Sequence, residues 1–394
     1  MLIKSIFRKI FFLFLGAFVI PTFAFAQIKM GIILGFTGPI ESLTPDMGKS
    51  AELAFKEVSD SGQLLGGQKV SVVRGDSTCI DAAAASAAAE RLITSDKVVG
   101  IMGADCSGVT TAIANNVAVP NGVAMISPSA TSPALSTIDD NGYFFRTAPS
   151  DARQGQVLAE ITIERGINNV AVTYINNDYG KGLSDSFINA YKGLGGKVSA
   201  VVPHEADKAD FSAEVATLDA SGADVLAVFG YVDQGGNHII QGSLDSGSFD
   251  KFILADGMYG ESLLKNMEGD LTGTFGTVPG TDSKGSETFK GMAQSAGITV
   301  GGPFTGESYD AAALLMLAMQ SAGSTDRAAV ASNVFAVANA PGVKIMPGEL
   351  RKGLIILAKG GAVDYVGASN VELVGGGEAS GSYQEFEVKG KSFS

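Results

Sequence analysis

Residues 98–127 read VVGIMGADCSGVTTAIANNVAVPNGVAMIS. An apolar run, Val98 to Met102, gives way to a turn rich in Gly, Ala, Asp and Ser. A helix-compatible stretch from Ser107 to Val117 follows, and a second apolar run, Val123 to Ser127, closes the unit. Neither run has a polar face, so each predicts a strand covered on both sides, and strand–helix–strand units of this kind build parallel sheets. The rhythm extends outward. Upstream, Ile28 to Leu34 reads as a strand, and Ala51, Ala54, Phe55 and Val58 mark one face of a helix by their i, i+3, i+4, i+7 spacing. Lys69 to Val73 is the next strand, and Asp81 caps an alanine-rich helix to about Thr94. Downstream, strands are predicted at Val170–Ile175, Val198–Val202, Val225–Gly230 and Lys251–Leu254, with helical segments between, and a last one at Tyr383–Val388 after Gly375-Gly376-Gly377. The fold class is α/β, and ligands of such sheets bind beyond the carboxyl ends of the strands.

Composition bounds the function. The 394 residues are 45% apolar and 18% charged, enough for two α/β domains with sizeable cores. A formal charge of −13 argues against a nucleic-acid partner, because phosphate binding needs clustered Lys and Arg. Two His and two Cys leave almost no material for a zinc site, so neither a metal nor a cofactor is expected.

The first 26 residues have a chemistry of their own. Lys4, Arg8 and Lys9 precede an uncharged run from Ile10 to Ile20, then Pro21 and Ala24-Phe25-Ala26. The run is too short to span a bilayer of ~30 Å, and the pattern is that of a secretory signal peptide cleaved after Ala26. A short buried helix is the other reading. Loss of the three basic residues takes the charge from −13 to −16. No later stretch reaches 18 apolar residues, so the mature chain is not expected to span a membrane. Export lets Cys79 and Cys106 pair, the alternative being two buried thiols.

The sequence carries no recognisable catalytic motif. There is no G-x-S-x-G elbow, His204 and His238 sit in no recognisable motif and read as surface or loop residues, and no P-loop occurs. Gly180-Lys181-Gly182 starts a dinucleotide fingerprint, but Asp185 stands where the third glycine belongs. Asp76, Asp81 and Asp105 near the cysteines are explained as helix-capping carboxylates. A binding module remains. Ser107, opening a helix after a strand, is either an ordinary cap or part of an anion site. In Ser127-Pro128-Ser129-Ala130-Thr131-Ser132-Pro133, two prolines stiffen a loop whose Ser129 and Thr131 can bond a polar ligand.

Ile-Ser-Pro-Ser-Ala-Thr-Ser-Pro-Ala-Leu at 126–135, behind Gly-Ala-Asp-Cys-Ser at 103–107, resembles the periplasmic leucine/isoleucine/valine-binding proteins of ABC transporters, which are type I periplasmic binding proteins. Phe36-Thr37-Gly38-Pro39 and Asn177-Asp178-Tyr179-Gly180-Lys181-Gly182 match further stretches of that family. The resemblance implies two flavodoxin-like lobes, 27–147 plus 278–380 and 148–277 plus 381–394, joined by three crossings near 147, 277 and 380. Ser107, Ser129, Ala130 and Thr131 would hold a ligand's carboxylate and part of its ammonium. Tyr179 and Tyr231 would close over it from the other lobe, Asp256 would pair with the ammonium, and Tyr309 would line the mouth. The family's paired cysteines match Cys79 and Cys106.

The implied partners are a small amino-acid ligand and a membrane permease, for a monomeric periplasmic protein doing no chemistry. Ile40-Glu41-Ser42-Leu43-Thr44-Pro45-Asp46 replaces a stretch that often carries an aromatic, so Glu41 and Ser42 are expected to add polarity beside the ligand's side chain. A secreted hydrolase acting on a peptide-like or amide substrate is the competing reading. A sugar-responsive DNA regulator is set aside by the leader, the charge and the missing helix-turn-helix.

Overall fold

The computed structural model describes residues 27–394; the segment 1–26, read above as a signal peptide with cleavage expected after Ala26, lies outside them. Five parallel strands form the first sheet: β1 (Ile28–Leu34), β2 (Val70–Asp76), β3 (Gly100–Gly103), β4 (Ala124–Ser127) and β5 (Phe144–Arg146), in the order β2-β1-β3-β4-β5. The register runs from Ile28 opposite Val70 to Leu34 opposite Asp76. Three helices alternate with these strands. In α1 (Thr44–Ser61) the buried residues Met47, Ala51, Ala54, Phe55 and Val58 form the stripe read from the sequence, and Gly62 ends the helix in a left-handed conformation. The Asp81 carboxylate caps α2 (Ala82–Glu90) by accepting the Ala83 and Ala84 N–H groups. Helix α3 (Ser107–Ile113) continues through a π turn at Ala114–Ala118, which accounts for the predicted length to Val117.

The second sheet repeats the order. Strands β6 (Asn169–Ile175), β7 (Lys197–His204), β8 (Val225–Phe229), β9 (Phe252–Leu254) and β10 (Phe275–Pro279) lie as β7-β6-β8-β9-β10 and are parallel. Between and around them run α4 (Asp151–Glu164), α5 (Asp178–Gly193), α6 (Ser212–Asp219), α7 (Gly236–Ser246) and α8 (Glu261–Asn266). The chain then returns to the first lobe through α9 (Lys284–Ser295), α10 (Thr305–Ala322), α11 (Arg327–Ala338) and α12 (Leu350–Ala358). Two small pairs accompany them, β11 (Val343–Ile345) with β12 (Val363–Tyr365) and β13 (Glu372–Val374) with β14 (Glu378–Ser380). Finally β15 (Tyr383–Lys389) adds antiparallel to β10, and β16 (Ser392–Phe393) edges it. Each sheet thus carries the 2-1-3-4-5 order of a flavodoxin-like doubly wound lobe, and passages at 147–150, 280–283 and 381–382 join the two.

Helix α10 anchors the first lobe. Ser308 to Gln320 are buried without interruption, so the helix is covered all round, by α1, α11, α12 and the sheet. Leu314, Leu315 and Leu317 are fully buried, each worth roughly 1.5–3 kcal/mol over the exposed state. His204 departs from its reading as a surface or loop residue. It ends β7 only 1% exposed, its Nδ1 bonded to the Thr173 hydroxyl at 2.8 Å, and burial lowers its pKa to about 4.

Candidate functional site

The residues singled out after the strands converge. Ser107 follows β3, Ser129 follows β4, Tyr179 follows β6, Tyr231 follows β8 and Asp256 follows β9; all five line one small cavity between the lobes. It sits at the carboxyl ends of both sheets, beside the switch points where the strand order reverses, between β1 and β3 and between β6 and β8. Leu43 lines both this inner cavity of about 30 Å³ and a neighbouring outer cleft of about 920 Å³.

The first lobe contributes hydroxyls. Ser107 is the first residue of α3, and its Oγ accepts the Ser132 N–H at 3.1 Å. Ser129 Oγ donates to the Asp105 carbonyl at 3.2 Å. Ala130 and Thr131 are fully buried immediately behind, and the Thr131 hydroxyl has no partner. The Cys79–Cys106 disulfide is formed and ties the loop after β2 to the start of α3. Of the three nearby aspartates, only Asp81 is a cap. Asp76 takes the Thr37 hydroxyl and the Thr78 N–H, while Asp105 takes the Gly35 and Cys106 N–H groups and the Ser77 hydroxyl. Those bonds pin the loops after β1, β2 and β3 to one carboxylate.

The second lobe contributes aromatics and charge. Tyr179 and Tyr231 stack with ring centroids 5.3 Å apart. The Tyr179 hydroxyl accepts the Gly257 N–H at 3.1 Å, and Asn177 donates to the Tyr231 hydroxyl at 3.2 Å. A side chain at position 257 would meet the Gly230 carbonyl at 2.6 Å and the Tyr179 hydroxyl at 2.8 Å, so glycine is required for this packing. Asp256 is 2% exposed, and its Oδ1 lacks any partner. Burial pushes its carboxyl up to about 6.

Three expectations change. Tyr309 does not line the mouth: it is buried in the first lobe against Phe289, its hydroxyl donating to Glu57 and accepting the Gly348 N–H. The rotation of α10 turns it toward α1, and Phe304, just ahead of the helix, lines the cavity in its stead. Ser42 faces the other lobe, bonding Asp233 through its N–H and Ser262 through its hydroxyl, and Glu41 is exposed. The wall they were expected to make polar is instead Ile40, Leu43, Met47 and Phe304. The sequence reading also missed Asp151, at the start of α4. It is fully buried with both carboxylate oxygens unpartnered. It lies in the crossing and not after a strand, and only its place among helix-start acids was visible.

A family profile described as "Periplasmic binding protein" matches residues 27–349. A Leu/Ile/Val-binding protein homolog 1 of Brucella abortus is 30% identical over 315 residues, 78% of this chain and 82% of the relative. Solved structures share the fold at lower identity. The branched-chain amino acid transporter substrate-binding protein LivJ of Streptococcus pneumoniae, in complex with isoleucine, aligns with TM-score 0.77 and 21% identity over 93% of this chain and 98% of that one. An ABC transporter solute-binding protein of R. palustris in complex with benzoate aligns with TM-score 0.75 and 17% identity over 94% and 95%. One architecture therefore serves chemically different ligands, and the ligand class has to be read from the residues in the cleft.

Proposed function

The chain belongs to the periplasmic binding protein family, with Leu/Ile/Val-binding proteins among its relatives, and from that premise we propose that it captures a branched-chain amino acid or related small zwitterion and delivers it to an ABC transporter permease. The observation that carries this reading is the buried Asp256, its Oδ1 without a partner, in one cavity with the Ser107 and Ser129 side chains and an apolar wall. A zwitterion leaving water needs both charges met. Asp256 supplies the charge for the ammonium, and Ser107 and Ser129 supply donors for the carboxylate. Ile40, Leu43, Met47 and Phe304 supply an apolar surface for an aliphatic side chain. Benzoate, lacking a cation, would leave Asp256 unmatched.

In this reading the lobes, 27–147 plus 278–380 and 148–277 plus 381–394, swing about the crossings, the leader is removed after Ala26, and the mature protein works as a periplasmic monomer. No helix among the described residues is long and apolar enough to cross a membrane. The hydrolase reading draws no support: the Thr173–His204 pair, which pairs a hydroxyl with an imidazole, is buried in the second lobe and lines neither the inner cavity nor the outer cleft.

Calorimetry against leucine, isoleucine, valine, glutamine and benzoate, beside a turnover assay on amide substrates, tests the proposal. Stoichiometric binding of an aliphatic amino acid without product is expected. Asp256→Asn should weaken it about 30-fold or more, since truncating one partner of a buried charge pair costs ~2–5 kcal/mol. Wild-type affinity in that variant, or tighter binding of benzoate than of any amino acid, would sink the assignment.

A further inference from the structure

Glu307, in the first turn of α10, takes no part in the inner ligand cavity. It is 7% exposed, yet the bonds that would explain a buried carboxylate are missing. Among the described residues it joins no ion pair, and the one donor beside its carboxylate is its own backbone N–H. Asp310, one turn further along α10, is the opposite case: it takes the Tyr365 hydroxyl, the Ala368 N–H, and the Ser369 N–H and hydroxyl. The Glu307 side chain instead lines a cavity of about 270 Å³, and neither Ser107, Ser129 nor Asp256 belongs to that lining. Burial and the Asp310 charge push the Glu307 carboxyl up to about 8, as expected of an acid without a countercharge. A buried acid of this kind calls for a partner that the chain does not supply.

The cavity lies where the lobes are joined. Gly280 and Thr281 of the second crossing line it, and so does Gln384, just past the third. The Thr147 hydroxyl of the first crossing donates to the Glu307 carbonyl at 2.9 Å. Phe289 on α9 and Phe304 ahead of α10 supply buried aromatic walls, and Tyr259 adds a ring from the second lobe. Neutral acceptors complete the set. Gln384 gives its Nε2 to Asp282 at 2.9 Å and keeps its Oε1 uncommitted, and a Cβ at Gly280 would lie 2.7 Å from that oxygen. Lys290, exposed on α9, is the one cation of the lining and does not act on Glu307. A hard metal ion is a poor fit, because it takes six or more oxygens and no cluster of three or more His, Cys, Asp or Glu able to hold one occurs among the described residues. An ammonium group on a short carbon chain fits: it brings a charge and N–H donors to the carboxylate, and hydrocarbon to the aromatic walls.

We propose that this cavity is a second binding site, for a small primary amine bound as its ammonium ion, with Glu307 as the counter-ion. The ammonium meets Glu307 from the open side of the cavity, and the carbon chain lies against Phe289 and Phe304. A space of about 270 Å³ suits a molecule of amino-acid size or smaller rather than a lone ion. A bound amine touches the first lobe, the second crossing and Tyr259 of the second lobe together, so its occupancy favours the arrangement in which these surfaces face one another. Phe304 lines this cavity and the inner one alike, so the two sites share a wall.

Titration of n-butylammonium into the protein without other ligands, followed by backbone amide NMR, tests the site. At about pH 8.5 the Glu307 carboxyl is largely ionised and an alkylamine is still cationic. Saturable shifts are expected at residues 286–290 and 299–305, with a Kd in the millimolar range. Glu307→Gln should weaken binding about tenfold or more, because the charge-assisted bond is lost. n-Butanol, with the same chain and no charge, should bind at least tenfold more weakly than the amine. The Asp256→Asn variant, defective in the inner cavity, should still bind butylammonium at this site within about twofold of wild type. Should Glu307→Gln not fold, the shift map and the butanol comparison in the wild type still decide. No saturable shift at these residues, equal binding of butanol, or a response that Asp256→Asn abolishes and Glu307→Gln keeps, overturns the proposal.

Discussion

Phe304 and Tyr309, five residues apart at the start of α10, do different work. Phe304 closes the apolar side of the cavity, whereas Tyr309 holds the first lobe together by bonding Glu57, which also takes the Leu350 N–H at 2.8 Å. Burial raises the Glu57 carboxyl, so loss of a hydroxyl there leaves a half-satisfied buried acid. Tyr309→Phe should lower unfolding stability by about 1–3 kcal/mol in denaturant melts and leave ligand affinity within about twofold. A large loss of affinity with unchanged stability would return Tyr309 to the site. The contrast also shows what single residues disclose in sequence. Ser107 and Ser129 were legible because each follows an apolar strand run, and strand ends are where such sheets bind, whereas Tyr179, Tyr231 and Asp256, also beyond strand ends, were picked out by the family resemblance. Asp151 and Phe304 were not, because a crossing and a loop before a helix carry no periodicity. Tyr309 was misplaced because α10 is apolar on every side, so its sequence does not say which face points to the cleft.

Among the elements, the loop after β2 and the start of α3 form one mechanical unit. Thr78 and Cys79 both have positive φ, 57° and 68°, a conformation costly for residues with a Cβ. Asp76 holds this loop by the Thr78 N–H, Asp105 holds it by the Ser77 hydroxyl, and the disulfide joins Cys79 to the residue before Ser107. The bridge spans a sequence separation of 27, for which the chain-entropy model gives about 3 kcal/mol. Replacing both cysteines with serine should therefore lower stability by about that amount, read as an earlier denaturant midpoint with a somewhat steeper slope, because the unbridged unfolded chain exposes more surface. Affinity should fall as well, because the loop that seats Ser107 loses its tether. Equal stability with and without the bridge would show that the aspartate bonds suffice. Elements of regular period were legible here: the stripe on α1, the cap on α2, four strands of the first sheet, and β6 to β9 and β15 of the second. The short strands β5 and β10 were not read, since three residues ending in Arg146 and a Gly-Thr-Val-Pro run give little alternation.

At the scale of the molecule, the lobes meet along two sets of hydrogen bonds flanking the cavity. On one flank the Ser132 hydroxyl donates to the Asp178 carbonyl at 2.9 Å and Thr111 to the Asp178 carboxylate at 3.2 Å. Gly182 makes this approach feasible, because a Cβ there would lie 2.7 Å from the Pro133 ring. On the other flank Asp233 gathers the Ser42 N–H and the Ser262 hydroxyl, each at 2.9 Å, and donates its own N–H to the Pro39 carbonyl at 3.0 Å. Asp233 does not line the inner cavity, so it acts on the balance between open and closed lobes rather than on ligand contacts. A ligand that binds only the closed arrangement has its apparent affinity scaled by the population of that arrangement. Only the Ser42 bond to this partly exposed carboxylate crosses between the lobes, and one such bond is worth roughly 1 kcal/mol net, so Asp233→Ala should weaken binding about 3- to 10-fold. The ligand-free melting temperature should stay within a degree or two, because neither lobe's core is touched. Solution scattering on the variant should show a larger radius of gyration at subsaturating ligand, contracting to the wild-type value at saturation. Weakened binding with no change in scattering would mean that Asp233 acts through the site itself, and unchanged affinity would mean that the Asp178 flank alone holds the lobes shut.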